Sequence, residues 1–275
     1  MKMKYSVYTL LFKDRDLKEI PPILSELGYD GIEIRIHDDG IHLPIDPSSE
    51  KITEARKLAQ DYGLEIPIIS SYAKFGYPEN RWKIEKEKMI KIASIADKLE
   101  AKYFRVQTAG YDDLLGYEKI RRFIRKQILE LHSTLKEMNI KALPVIEQHG
   151  GGCIASSAGI IIDLIRDIDP EKIGVLYDPG NAVWEGWEPP IVQIDILKDY
   201  IKHVHVKNYD RDKTDPRKVV PAPLDKGILD WREVIRILKN KGYKGYLSLE
   251  DFRSIPPEEK AKQAIIFFRQ VESLS

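Results

Sequence analysis

The chain has 275 residues, which fits one large α/β domain or two small ones and is ample for a sizeable core. Its 44 Lys and Arg residues balance 44 Asp and Glu residues, and this neutrality argues against a general electrostatic affinity for nucleic acid or an anionic membrane. No segment approaches the run of about 18 apolar residues that a membrane helix needs, and a single cysteine, Cys153, rules out an intrachain disulfide and fits a reducing compartment.

The start, MKMKYSVYTLLFKDRD, is basic, but polar residues interrupt its apolar stretch and no small-residue cleavage site follows. It reads as a first strand, at 5–11, and a soluble cytoplasmic protein is the expectation. Further strands are predicted at 31–36, 65–71, 103–108, 142–147, 173–178, 201–207 and 246–250. Helical spacing or composition marks 17–27, 49–62, 81–99, 117–138, 157–168, 190–200 and 231–241, and a last helix at 258–274 closes the chain. The segment 190–200 has the weakest of these signals. Glycines in LGYDG (27–31), YGLEIP (62–67) and KGYKG (241–245) stand where helix ends need positive φ. Strand–helix alternation implies parallel pairing with right-handed crossovers. Eight units of about 34 residues each predict a single (β/α)8 TIM barrel domain over residues 1–275. A doubly wound open sheet would want a Gly-rich turn after the first strand, and LLFKDRD has none. The longest loop, 208–230, carries Pro216, Pro221 and Pro223 and is a candidate substrate lid. The high charged fraction, 32%, fits a solvated helical exterior or a thermophilic origin equally well.

Four strands of the second half end in residues that bind metals: Glu147 in PVIEQHGGG, Asp178 in VLYDPGNA, His205 in HVHVKN and Glu250 in GYLSLED. Neighbouring parallel strands would bring three carboxylates and one imidazole together above the rim, a mononuclear divalent-metal set. Asp178 alone is equally well a turn residue, since Asp-Pro-Gly-Asn is turn chemistry, and Asn181 follows it by three. His203 and His205 share one strand face with Lys207, and His205 is nearer the rim. Glu250 competes with Asp251, because alternation lets only one point inward; leucines inside the barrel would favour Asp251. Glu33 and Arg35 share a face, as do Arg105 and Gln107, either as substrate contacts or as buried polar pairs. Trp184 and Trp187 could wall a sugar pocket or cover an interface. There is no P-loop, no G-x-S-x-G and no Cys-x-x-Cys.

From GYDGIEI through FRVQTAG, VIEQHGGG, VLYDPGNA and HVHVKN to PLDKGILDW and GYKGYLSLE, the chain resembles the sugar phosphate isomerase/epimerase group of the xylose-isomerase-like TIM barrels. Relatives in that group include hydroxypyruvate isomerase, ketose 3-epimerases and inosose-processing enzymes. The resemblance spans nearly the whole chain and is specific for the superfamily, not for the substrate. It implies a metal set of Glu147, Asp178, His205 and Glu250, which settles the choice between Glu250 and Asp251. It places Arg211, six residues beyond the metal histidine, at the substrate; His149, Asn181, Lys207, Glu33 and Arg105 are the other candidate substrate contacts. Asn181 stands where the ketose epimerases have a substrate-binding histidine, and Glu147-Gln148-His149 stands where many relatives read Glu-Asn-His.

Oxygen-rich ligation with one histidine suits one Mn²⁺ ion first, with Mg²⁺, Co²⁺ or Zn²⁺ as alternatives. Such an ion would chelate a substrate carbonyl and its neighbouring hydroxyl and stabilise a cis-enediolate, with Glu147 and Glu250 as base and acid. The expected partner is a small sugar or sugar phosphate, with no nucleic acid and no membrane. A homo-oligomer, dimer or tetramer, is what the resemblance implies. A dehydratase or lyase is the nearest alternative, because an enediolate can expel a leaving group. An endonuclease IV-like phosphodiesterase would need histidines on early strands, and SSYAKF at strand three has none. The intact ligand set argues against a non-catalytic sugar-binding barrel.

Overall fold

The computed structural model describes residues 3–185, 188–215 and 217–273. Its strands are β1 (Lys4–Tyr8), β2 (Gly31–Arg35), β3 (Ile68–Phe75), β4 (Tyr103–Thr108), β5 (Leu143–Glu147), β6 (Gly174–Tyr177), β7 (Ile201–Val206), β8 (Asn208–Arg211), β9 (Val219–Ala222) and β10 (Tyr246–Leu249). β8 and β9 form a separate antiparallel pair; the other eight close an all-parallel barrel in chain order, with β10 paired to β1. The helices are α1 (Ile20–Leu27), α2 (Ser49–Asp61), α3 (Glu79–Lys98), α4 (Tyr117–Glu137), α5 (Ala158–Ile165), α6 (Pro179–Glu185), α7 (Pro190–Leu197), α8 (Trp231–Asn240) and α9 (Pro257–Ser273). This is the (β/α)8 barrel that the alternation predicts.

Alternation along each strand divides the residues between two environments. One phase, including Val7, Ile34, Val106, Ile146, Val204, Leu247 and Leu249, joins the main apolar core with the helices. The other phase faces into the barrel, where Ile68, Val145 and Leu176 make a small separate apolar cluster with Tyr103 against it. Most of the remaining buried inward positions are polar: Ser6, Glu33, Ser70, Arg105, Glu147, His203, His205 and Ser248. Burying one large aliphatic side chain stabilises by about 1.5–3 kcal/mol. A one-residue slip in any strand would therefore lose several such terms and turn charged groups into the helical layer.

Register sets the height of the rim residues. Ser248 is level with His205, and Glu147 with Leu176. Glu250 and Asp178 each stand one inward step above those levels.

The structure departs from the sequence reading in a few places. β1 stops at Tyr8, and Thr9–Phe12 forms a 3-10 turn that buries Thr9 and Phe12 on one side. β3 begins later than predicted and runs to Phe75; Pro67, which has no amide hydrogen, precedes it. The Pro-rich loop contains the β8–β9 hairpin, while Pro216 lies outside the described residues. Asp-Pro-Gly-Asn opens α6, with proline in its first position, and Asp178 Oδ1 accepts from the Asn181 amide at 3.2 Å. Trp187 and the side chain of Trp184 lie outside what is described. Among the described residues, no helix is long and apolar enough to cross a membrane.

Candidate metal centre

His205, on β7, is fully buried, and its two ring nitrogens face opposite surroundings. Nε2 lies 2.8 Å from Glu33 Oε1. Glu33, from β2, also accepts from His203 Nε2 at 3.0 Å, from Ser248 Oγ at 2.6 Å and from Ser70 Oγ. Burial alone would raise the Glu33 carboxyl, but His205 and His203 outweigh it and hold the group well below the usual carboxylate range. An ionised carboxylate only accepts, so both imidazoles donate Nε2–H to it.

The other nitrogen of His205, Nδ1, is buried and has no hydrogen-bond partner among the described residues. It lies 3.6 Å from Glu147 Oε1, 3.7 Å from Asp178 Oδ2 and 3.6 Å from Glu250 Oε2. Three strand ends thus converge on one ring nitrogen. Burial lowers the pKa of this imidazole, but Glu33 and Glu250 first, then Asp178 and Glu147, raise it well above the ordinary value.

Each carboxylate is anchored from outside the convergence point. Glu147 takes Gln107 Nε2 at 2.9 Å and Arg105 Nη1 at 3.3 Å. Burial opposes its ionisation, yet Arg105, His205 and His149 keep its pKa far below normal. Arg105 is itself fixed by Ser71 O at 3.0 Å and stacks against Tyr72, its guanidinium carbon 4.5 Å from the ring centroid. Asp178 receives Asn181 Nδ2 at 2.9 Å and Lys207 Nζ at 2.7 Å; against the cost of burial, Lys207 and His205 depress its pKa. Lys207 also meets Glu250 Oε2 at 2.5 Å, and these two partners overcome burial to raise its own pKa. A side chain at Gly180 would collide with the Lys207 stem, so glycine lets the start of α6 approach this lysine.

The candidates from the sequence fall into distinct positions. Glu147, Asp178, His205 and Glu250 meet; Lys207, Asn181 and Arg105 brace them; Glu33 lies beneath His205. His149 is half-buried at the rim, where its contact with Cys153 and the charge of Glu147 outweigh burial and push its pKa up to about 9. Arg211 stands exposed on the β8–β9 hairpin. Asp251 turns away to Arg253, Oδ2 to Nη2 at 2.7 Å, because Leu247 and Leu249 face the helices rather than the barrel. Arg35 forms a bidentate pair with Asp39, both bonds 2.7 Å. Ser70, Tyr8 and Tyr72 went unremarked in the sequence; their only signal is the inward phase they share with Glu33, Arg105 and Glu147.

The donor set fits a divalent cation. Two clusters offer mutually close donor atoms, Glu33–His203–His205 and Glu147–Asp178–His205. The first is closed on itself, both imidazoles donating to Glu33, whereas the second leaves Nδ1 of His205 unused. Glu250 adds a third carboxylate beside that nitrogen. Counted formally with neutral imidazoles, Glu33, Glu147, Asp178 and Glu250 face two cations, Arg105 and Lys207, leaving two negative charges for a dication to neutralise. Oxygen donors with one imidazole suit Mg²⁺, Mn²⁺, Co²⁺ or Zn²⁺.

Fold and site together define a (β/α)8 barrel whose rim gathers three carboxylates and one imidazole, a donor set that fits a cation. Residues 22–271 match the xylose isomerase-like TIM barrel family, and the chain belongs to it. Inosose dehydratase 2 of Bacillus cereus is 32% identical over 136 residues, a match that spans 44% of this chain and 44% of that relative. L-ribulose 3-epimerase superposes with a TM-score of 0.80 at 15% identity, covering 99% of this chain and 95% of that one. A xylose isomerase-like TIM barrel protein from Mycobacterium smegmatis, solved in complex with magnesium, gives 0.78 at 20% identity and covers 100% and 98%. At these identities the structural likeness is one of fold.

Proposed function

We propose that this chain is a divalent-metal-dependent isomerase or epimerase that moves a proton on the carbon beside a carbonyl in a sugar or sugar phosphate. One observation carries the reading: the unpartnered Nδ1 of His205 lies where Glu147, Asp178 and Glu250 meet. Those four side chains would hold the ion. When bound, it supplies Lewis acidity, polarising the carbonyl and stabilising the negative charge that develops on its oxygen.

The chain's own residues do the rest. Arg105 and Gln107 keep Glu147 ionised and aimed inward, so it can accept the carbon-bound proton. The electron pair left on carbon moves into the carbonyl. Glu250, beside the Lys207 ammonium at 2.5 Å, takes a proton from that ammonium and gives it to carbon, and Glu147 passes the proton it accepted back to Lys207 through solvent. Return to the opposite face of the same carbon inverts it; return to the neighbouring carbon, with the hydroxyl proton passing to the former carbonyl oxygen, exchanges aldose and ketose. His149, cationic at neutral pH, offers a rim contact for substrate oxygens.

Dehydration is the second reading, favoured by the 32% identity to an inosose dehydratase over part of the chain. It shares the first proton removal. A hydroxyl on the next carbon then leaves as water, taking its proton from Glu250 and in turn from Lys207.

The test is a panel of ketoses, aldoses, inososes and their phosphates incubated with Mn²⁺ in D₂O and followed by proton NMR. Deuterium in a recovered sugar supports the isomerase or epimerase; loss of water with formation of an unsaturated product supports the dehydratase. No exchange and no water loss across the panel would count against both.

A further inference from the structure

The opposite end of the barrel carries a cavity that the chemistry above leaves unused. Its volume is about 750 Å³, and it opens beside the beginnings of β1, β3, β4, β7 and β10. Its charge differs sharply from that of the neutral chain: seven Lys and Arg side chains line it against three acidic ones. Lys4 and Arg56 are taken up by Glu65 and Glu100. Lys102, Lys198 and Lys244 have no ion pair among the described residues.

The throat is polar and aromatic. Tyr103, Tyr246 and His203 line it, and the rings of His203 and Tyr246 stack with centroids 6.5 Å apart. His203 is fully buried; its Nε2 is committed to Glu33 at 3.0 Å, while its Nδ1 has no partner among the described residues. A buried imidazole nitrogen without a partner is costly unless something completes it.

We propose that this N-terminal mouth is a second binding site, for a small phosphorylated compound that bears hydroxyl groups. The phosphate would sit among Lys102, Lys198 and Lys244, and the hydroxylated remainder in the throat against Tyr103, Tyr246 and His203. The volume falls in the range of small-ligand pockets. A concave throat behind the lysines favours a compact ligand over an extended polyanion, which would need a basic stripe. The proposal is independent of the metal-centre reading.

The test is calorimetric titration of the full chain, stripped of metal with EDTA, using ribose 5-phosphate as the probe. Inorganic phosphate, ribose and KCl at matched ionic strength are the comparisons. Expected is saturable 1:1 binding of ribose 5-phosphate, weaker binding of phosphate and none of ribose. Lys102→Glu with Lys244→Glu should weaken the sugar phosphate by about tenfold or more, since two attractions become repulsions. Ring signals of His203 and Tyr246 should shift on titration of the unaltered chain, which keeps the test open if the double variant fails to fold. No saturable binding would overturn the proposal. So would affinity unchanged in a folded double variant, the result expected if the ligand occupies the rim at the other end.

Discussion

Replacing Glu33 with Gln changes one atom at the base of the metal centre and should cost both stability and metal affinity. The carboxylate accepts from Ser70, Ser248, His203 and His205 at once. An amide presents one acceptor and one donor, so two of those four groups lose an acceptor. The serines can rotate, and His203 can shift its proton to Nδ1 and accept from the new amide through Nε2. What remains is the lost charge-assisted bond to His205, worth about 1.5–3 kcal/mol. For a chain of this size that lowers Tm by about 3–10 °C. Without the anion on Nε2, His205 is free to carry its proton on Nδ1, and Mn²⁺ affinity should fall about 10–100-fold, as for other partners of metal-binding histidines. Calorimetric titration of EDTA-stripped protein with Mn²⁺, beside a thermal melt, reads both. Affinity within twofold of the unaltered chain would refute the claim that Glu33 positions His205 for a metal.

Glu147→Gln and Glu250→Gln should each remove deuterium exchange and turnover on a substrate found in the panel while leaving far-UV circular dichroism unchanged; near-normal turnover in either would remove that residue from the proton-transfer role. Metal loading must displace the proton that the surrounding carboxylates hold on His205. Titrations in buffers of different ionisation enthalpy should report about one proton released per Mn²⁺, with affinity rising as pH rises through the His205 range; zero release would contradict this. Glu33, Glu147 and Asp178 titrate below their ordinary range in the fold. Their contribution to stability is therefore present above the unfolded carboxylate pKa of about 4 and is lost as pH falls below it. Tm of the metal-free chain should drop in that window, and less so in Glu33→Gln; parallel acid melting curves would count against the assignment.

The barrel was legible because its signals repeat. Strand-length apolar runs alternate with charged helices eight times, so errors at single boundaries, such as the early stop of β1 at Tyr8, leave the topology intact. The four converging side chains were legible for a similar reason: each ends or nearly ends a strand of the second half. What alternation could not supply was which phase faces inward. Leu247 and Leu249 look like interior residues, yet the helical layer outside this barrel is the larger apolar environment, and its interior is mostly polar. The register and the inward phase of Ser248 place Glu250 at the centre, the choice the family resemblance implies, and Asp251 beside Arg253. Nor does any local pattern link Glu33 to His205, because 172 residues separate them and only barrel closure brings them together. Arg105 could equally have been a substrate contact; its bonds to Ser71 and Glu147 depend on neighbouring strands.

The most direct test of the central claim is anomalous diffraction from crystals soaked in Mn²⁺. The account predicts one peak at the barrel rim, with His205 bound through Nδ1 and carboxylate oxygens of Glu147, Asp178 and Glu250 around it at about 2–2.3 Å. A peak bound through Nε2 of His205, a peak elsewhere, or none at a saturating concentration would contradict it.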